Sequence, residues 1–592
     1  MSKGTAGLAL ALAAVLALGV QVEDLAVAPG PRSSVPDAAP AARADWIALS
    51  RKLAAPWPDI QLPSGRMPDP LREGDPGRYG DGMIGLALLQ TGTRDRNRRL
   101  VRAGLRAVSY ETRSLTVHYN TYPFRVWAVA AAYGVARRRL GHRSRAGEAM
   151  RRWAHWLQRQ PSSWLWGPAY QNKVLAGALA VLEAQRTGLR SPIAGSVLGS
   201  AARARAVGLV NQTIPFMAGG SSAYVLSDPG PGPIAYHALS YAMYARAVRL
   251  LGRVASWRAR RTLTRLARAS WLSMAPDGSV AYWGRSQGQS WTLSAAAYGL
   301  AATARERGSP ARSDRKYHAL AARALRRLRA YGVGPRGGNI IPALGQDRRG
   351  GVRALDHYAH GPEYAGLALV FLNWAIPLLP ADRAGGRIGA DGPLEALLSG
   401  GSGRFATVRG GSVWFAARER ASNLRYDFGP AAVQRLERGG WRDVIPYRPN
   451  DGNGYDSAGP VLRSAGDRGL PVGYATRVTR DGRVVVRGGF RWRSWLRKGV
   501  SFVIQPTSCG VEVAVYGRAG DRYEFSAFFR GNARPAIGER RARSGAQVAA
   551  FNLPIRSSSV ARGYHSASDA WLTRGRFVVE ARRDQWVSME LC

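Results

Sequence analysis

The chain has 592 residues, 46% of them hydrophobic, with 85 Lys and Arg against 39 Asp and Glu and a formal charge of +46. That length allows two or three domains with a large core, and that apolar fraction excludes both a disordered chain and a polytopic membrane protein. The charge is nearly all arginine, since lysine stands only at Lys3, Lys52, Lys173, Lys316 and Lys498. A surface of this kind attracts polyanions, and arginine pairs bidentately with carboxylate and sulfate-like groups. The competing reading is a GC-rich coding sequence that favours arginine codons and leaves the charge on a solvated surface.

At the N-terminus Lys3 precedes an apolar stretch, Gly7 to Val20, too short for a comfortable transmembrane span. With Ala26-Val27-Ala28 as the cleavage site, residues 1–28 read as a signal peptide, and an uncleaved anchor is the alternative. Residues 29–43, rich in Pro, Ala and Ser, read as a flexible leader. The expected location is secreted or extracytoplasmic, with no stable membrane span after signal cleavage.

Residues 44–395 carry a repetitive helical pattern. Arginine-rich amphipathic segments, such as Arg253 to Leu272, alternate with segments of Ala, Leu, Gly and aromatics. In Gln171 to Leu182, for example, Leu175, Leu179 and Leu182 recur at helical spacing with few charges, as in a helix buried on all sides. The buried-type helices open alike, near Tyr79-Gly80-Asp81-Gly82, His118-Tyr119-Asn120, Tyr170-Gln171-Asn172, Tyr236-His237, Gln287-Gly288-Gln289 and His360-Gly361-Pro362-Glu363-Tyr364. These starts recur roughly every forty to seventy-five residues, the mark of a helical-hairpin array. Closed into a ring, an α/α toroid, the array gathers the starts around one cleft.

Around Leu398 to Gly403 the composition shifts to Gly and Ser, which reads as a linker. Over 404–592 short β-rich segments, among them Val500 to Gln505, Glu512 to Tyr516 and Gln585 to Leu591, are separated by Gly-rich turns. They predict an antiparallel β-sandwich. The fold class is therefore multidomain α + β, a toroid followed by a sandwich. Cys509 and Cys592 are the only cysteines; in an exported chain they suit one disulfide, and two unpaired thiols are the alternative.

The densest chemistry lies in mid-chain. On a helix, His237, Tyr241 and Tyr244 fall at i, i+4 and i+7, on one face. Phenols beside an imidazole suit moving a proton off carbon; an aromatic core stripe has the same spacing. The segment from Asp228 through Tyr236-His237 to Val248 resembles the Gly-rich turn, Tyr-His and apolar helix of heparinase II/III-like and alginate lyases. The order Asn172, His237, a following tyrosine and Arg285 is also similar to the Asn-His-Tyr-Arg tetrad of hyaluronate and chondroitin lyases. Pro276-Asp277-Gly278 before Trp283-Gly284-Arg285 fits the arginine-bearing loop of such toroids.

The resemblance implies an exported polysaccharide lyase that cleaves a uronic-acid-containing anionic polymer by β-elimination. The catalytic set it implies is Asn172, Tyr236, His237, Tyr241, Tyr244 and Arg285, with the choice among the three tyrosines open. The expected substrate contacts are Asn120, Trp164, Trp166, Trp283, Gln287, Gln289, His360 and Tyr364, with Trp291 a further ring for stacking on sugars. Each has a plainer reading: Asn172 as a helix cap, His237 and the tryptophans as core, Arg285 as one surface arginine among many. No metal or other cofactor is expected, and no nucleic-acid partner. One rival is a toroid glycoside hydrolase, which needs two carboxyl groups from among Asp81, Asp228, Glu183 and Glu363. A non-catalytic polyanion-binding protein is the other.

Overall fold

A computed structural model describes residues 42–592 apart from 70–78, 114–120, 142–144, 167–170, 220–221, 227–233, 283–288, 308–311, 333–360, 381–394, 401–402, 420–427, 439, 446–458, 465–466, 493–494, 532 and 566–569. The signal peptide and nearly all of the leader lie outside the described residues. Among those residues no helix is long and apolar enough to cross a membrane.

The α-domain is built of α1 (Arg43–Ala54), α2 (Gly80–Arg94), α3 (Arg98–Arg113), α4 (Tyr122–Arg139), α5 (Arg145–Gln158), α6 (Gln171–Arg186), α7 (Ser200–Gly208), α8 (Ala235–Leu251), α9 (Trp257–Ser273), α10 (Ser290–Arg307), α11 (Arg312–Gly332) and α12 (Gly361–Ala375). The even-numbered helices are apolar nearly all round; α4 buries every residue from Tyr122 to Gly134. The odd-numbered ones are amphipathic; α3 turns Leu100, Ala103, Ala107 and Val108 inward. A helix apolar on all faces must be surrounded, and an amphipathic one covers it. Accordingly α2, α4, α6, α8, α10 and α12 form an inner ring, each packed on the next, with the amphipathic helices outside.

The ring closes where α12 meets α2. A Cβ at Gly366 would lie 2.8 Å from the Ile84 backbone nitrogen, so only glycine lets the two helices approach this closely. Polar groups latch the same seam. Ser50 Oγ donates to Asn373 Oδ1 at 2.7 Å, and Asn373 Nδ2 donates to Thr91 Oγ1 at 3.0 Å. Aromatic rings plug the middle of the ring: Trp127 lies 5.8 Å from Trp374 and 6.0 Å from Phe371, and Tyr298 5.5 Å from Trp374. Such pairs each add about 0.5–1.5 kcal/mol beyond their buried area.

The β-domain starts at Glu395, and its first two strands take in most of the segment read from composition as a linker. That reading is corrected. Glu395–Gly400 and Gly403–Gly410 pair as antiparallel strands, so Leu398 to Gly400 and Gly403 of that run lie in strand. Five strands from Glu395 to Ile445 form a meander, and twelve between Val461 and Leu591 form a larger antiparallel sheet. The larger sheet folds over itself, bringing Phe551 within 6.1 Å of Phe525 and 5.3 Å of Phe577. Val413 and Phe415 of the meander share one core with Phe502 and Ile504 of the larger sheet, so the domain is a β-sandwich. Cys509 and Cys592 are joined by a disulfide that ties the last residue to this core.

The meander docks on the toroid. Leu398, Phe405, Trp414 and Ala416 pack with Ala223, Val225, Ile234 and Tyr282. Thr407 Oγ1 donates to the Leu272 carbonyl at 2.9 Å. The β-domain thus braces the segments that flank the start of α8.

Candidate functional site

The N-termini of the inner helices meet on one side of the ring, which we call the rim. Trp291, at the start of α10, lies 6.0 Å edge-on from Tyr236 at the start of α8, and 5.9 Å from Tyr364 at the start of α12. Gly80, opening α2, is so close to α12 that a Cβ there would sit 2.8 Å from Pro362 Cβ. Tyr79 stacks on Phe124 of α4 at 5.0 Å, and Tyr122 meets Trp164, in the turn before α6, at 5.4 Å. Helix N-termini carry unpaired N–H groups and the positive end of the helix dipole. Several of them converging make the rim attractive to anions.

Asn172 is the second residue of α6, inside the helix and not at its cap. It is buried, and its Oδ1 has no hydrogen-bond partner among the described residues. Tyr236 is likewise the second residue of α8, 7% exposed, with its ring against Trp291. These two stand on adjacent inner helices, one turn from the same edge.

His237 points elsewhere. Its Nδ1 accepts the Leu226 N–H at 3.0 Å, and its Nε2 is 2.9 Å from Ser270 Oγ on the outer helix α9. With Nδ1 accepting, the neutral ring carries its proton on Nε2 and donates it outward. Burial lowers its pKa to about 4, against a weaker opposing effect of a backbone hydrogen bond at Leu266. The ring is neutral at pH 7 and pins the 226 segment to α8.

Tyr241 and Tyr244 do share the face of His237, as the spacing predicts, but that face meets helices and not the rim. The Tyr241 hydroxyl is 2.6 Å from Thr303 Oγ1 on α10, which itself donates to the Gly299 carbonyl. The Tyr244 hydroxyl donates to the carbonyls of Val210 at 3.0 Å and Ala259 at 3.3 Å. Both side chains are 0% exposed, and burial pushes both phenols well above their ordinary range. As expected bases they are corrected: they have no path to a substrate and hold their protons.

Among the expected sugar contacts, Trp164 is 40% exposed beside Tyr122, and Trp166 is half-buried with Arg205 over its ring at 4.8 Å. Gln289, Trp291 and Tyr364 are buried in the rim wall. Asn120, Trp283, Arg285, Gln287 and His360 lie outside the described residues, as does Asp228.

No family model matches this chain, and no curated protein matches it. Solved structures do. A Streptomyces coelicolor A3 chondroitin AC lyase is matched over 92% of this chain and 79% of that one, at 12% identity and a TM-score of 0.46. The GH76A α-1,6-mannanase of Salegentibacter sp. HEL1_6 is matched over 56% of this chain and 100% of that one, at 11% identity and a TM-score of 0.40. An unsaturated glucuronyl hydrolase from Bacillus sp. GL1 is matched over 55% and 94%, at 15% identity and a TM-score of 0.39. The chain is similar to α/α-toroid polysaccharide lyases and glycosidases.

A carboxylate cluster at the starts of α2 and α12 extends the site. Asp81 accepts the Met67 N–H at 2.5 Å, and Glu111 Oε2 accepts the Gly82 N–H at 2.8 Å. Arg125 Nε lies 2.6 Å from Glu111 Oε1, both buried. Burial pushes Asp81 up to about 8, and the nearby Glu111 and Glu363 add to the rise. Asp81 and Glu363 were expected as hydrolase candidates; Glu111 and Arg125 were not. The available signal was Arg125 itself, the one charge in the apolar run from Tyr122 to Ala136, since a fully buried arginine needs a carboxylate. Glu183, another hydrolase candidate, is bound instead to Arg246 at 2.5 Å.

Proposed function

We propose that this protein is an exported polysaccharide lyase that cleaves a uronic-acid-containing polymer by β-elimination at the rim. One observation carries the reading: buried Asn172 keeps an amide oxygen unpaired among the described residues, on the same edge as the Tyr236 phenol. A buried polar atom without a partner costs about 1–3 kcal/mol, which a ligand can return. An amide can also turn over and present its NH2.

The chemistry follows from the substrate. The C5 proton of a uronate is weakly acidic until the adjacent carboxylate is neutralised. Asn172, with the positive helix starts, holds that carboxyl group and stabilises the enolate-like intermediate. Tyr236, acting as the phenolate, takes the C5 proton. The electron pair forms the C4–C5 double bond, the C4–O4 bond breaks, and the phenol returns its proton to the departing oxygen. Arg285, in the segment leading into α10, is proposed as a second carboxylate partner. His237 is a positioning residue that holds the start of α8. The Cys509–Cys592 disulfide supports an oxidising, extracytoplasmic location.

A second reading rests on Asp81, held protonated near neutral pH beside Glu363, as the acid of a glycoside hydrolase. One assay separates them. Incubation with alginate, hyaluronan, heparan and pectin is expected to raise the absorbance of unsaturated uronate with at least one polymer. Reducing ends without that absorbance establish the hydrolase, and binding without either product establishes a polyanion-binding protein.

A further inference from the structure

The outer wall of the toroid carries a second recess. A cavity of about 660 Å³ opens between the Ile214–Ala218 turn and α9, lined by Gln212, Phe216, Trp257, Arg258, Arg261 and Arg265. Its volume is in the usual range of small-ligand sites. Phe216 and Trp257 are 68% and 64% exposed, the two most exposed large hydrophobics among the described residues, and they stand together at one recess. Arg258 lies over the Trp257 ring at 5.6 Å, which fixes the plane of the indole.

The charges are arranged against their own interest. Arg258, Arg261 and Arg265 follow at i+3 and i+4 on one face of α9, where like charges repel. No carboxylate among the described residues pairs with any of them. On the neighbouring face Glu306 takes Arg249 at 3.2 Å and Arg260 at 2.5 Å. Arg265 donates to the Gly219 carbonyl, so its guanidinium is held at the wall. Burial, and then Arg261, disfavour the charge on Arg265, as expected where cations are crowded without an anion.

The Trp257 end of the recess is remote from the rim: helix α8 starts at the rim, and its 17 residues carry the chain about 25 Å away before α9 begins at Trp257. Helix α9 then runs back, so that Ser270 meets His237 in the first turn of α8. We infer that this recess is a second, non-catalytic binding site for an anionic polysaccharide chain. Phe216 and Trp257 stack on the apolar faces of sugar rings, while the arginines pair with carboxylate or sulfate groups. A bilayer would also supply anions, and the vesicle arm of the test below separates it from a polysaccharide. The inference rests on the proposed polymer substrate, and it gives a long chain a second hold.

The test uses the full chain with fluorescein-labelled chondroitin sulfate and alginate, binding read by anisotropy. The double variant Phe216→Ala/Trp257→Ala and the single variant Arg261→Glu are each expected to weaken polymer binding about fivefold or more. Their turnover of a tetrasaccharide, and their melting temperatures, are expected to stay unchanged. Polymer binding within twofold of the parent in both variants overturns the inference, as does a parent that binds neither polymer. Loss of sedimentation with phosphatidylglycerol vesicles, while polymer binding is kept, overturns it in favour of a lipid surface. Failure of the lyase reading shows separately: no unsaturated product forms, yet polymer binding still depends on Phe216, Trp257 and Arg261.

Discussion

Tyr236 and Tyr241 stand five residues apart on α8 and lead opposite lives. Tyr236 lies in the first turn, against Trp291 and beside the helix start that bears Asn172. Tyr241, about 7.5 Å along the axis, is sealed between α8 and α10 with its hydroxyl on Thr303. The difference is depth. At the rim the Asn172 amide oxygen has no partner among the described residues, while in the shaft the Tyr241 and Tyr244 hydroxyls are engaged on neighbouring elements.

The largest expected effect tests that contrast directly. Tyr236→Phe is expected to cut turnover by about 10²–10⁴-fold, the usual worth of a general base, with little change in melting temperature. Tyr241→Phe is expected to leave turnover within about threefold and to lower stability by about 1 kcal/mol. Equal losses of activity in the two would break the comparison. Next, Asn172→Ala is expected to lower kcat/KM on the polymer about 10²–10³-fold, while its urea midpoint holds or rises, because an unpaired buried amide has gone. A fall in that midpoint would show that Asn172 belongs to the shaft and not the rim.

The titrations come third, and they run in opposite directions. Burial lowers His237 to about 4 in the fold from the usual 6.5, so between these values the unfolded chain binds the extra proton. Stability therefore rises with pH across that window, by about 3 kcal/mol. His237→Gln is expected to flatten this slope in urea unfolding at pH 4.5 and 6.5. Asp81 is raised from 3.8 to about 8, so the folded chain keeps the proton, and stability falls as pH rises through that range. Asp81→Asn is expected to remove this fall; an unchanged profile would mean that the carboxyl is ionised in the fold.

The smallest effect concerns the shaft alone. A Cβ at Gly299 would lie 2.5 Å from Tyr241 Cε1. Gly299→Ala is expected to cost about 1–3 kcal/mol in denaturant unfolding without altering KM, as overpacking does in a closed core. A neutral result would show that Tyr241 is loosely held and weaken the contrast with Tyr236.

Much of the architecture is legible in the sequence. Alternation of all-apolar and amphipathic segments predicted the inner and outer helices, because periodicity records how many sides of a helix are buried. The recurring polar and aromatic residues at the inner-helix starts marked the rim for the same reason. Val500 to Gln505 and Gln585 to Leu591 fall within the observed strands Leu496–Pro506 and Gln585–Leu591. The run from Leu398 to Gly403 misled, since Leu398 to Gly400 and Gly403 lie in paired strands and a Gly/Ser composition alone does not tell a strand end from a linker.

By itself, then, the order of residues determined which helices lie inside, where the β-strands run, and that His237, Tyr241 and Tyr244 share one face. Only the tertiary structure decided what that face meets. Helical spacing specifies a direction around an axis, not the neighbour in that direction or the depth below solvent. Ser270 and Thr303 lie 33 and 62 residues beyond the side chains they bind. The seam between α2 and α12 joins segments almost three hundred residues apart. Desolvation by such distant partners raises the Tyr241 and Tyr244 phenols and lowers His237, whereas Tyr236 and Asn172 stand in the first turns of their helices, on the side where the inner-helix starts meet.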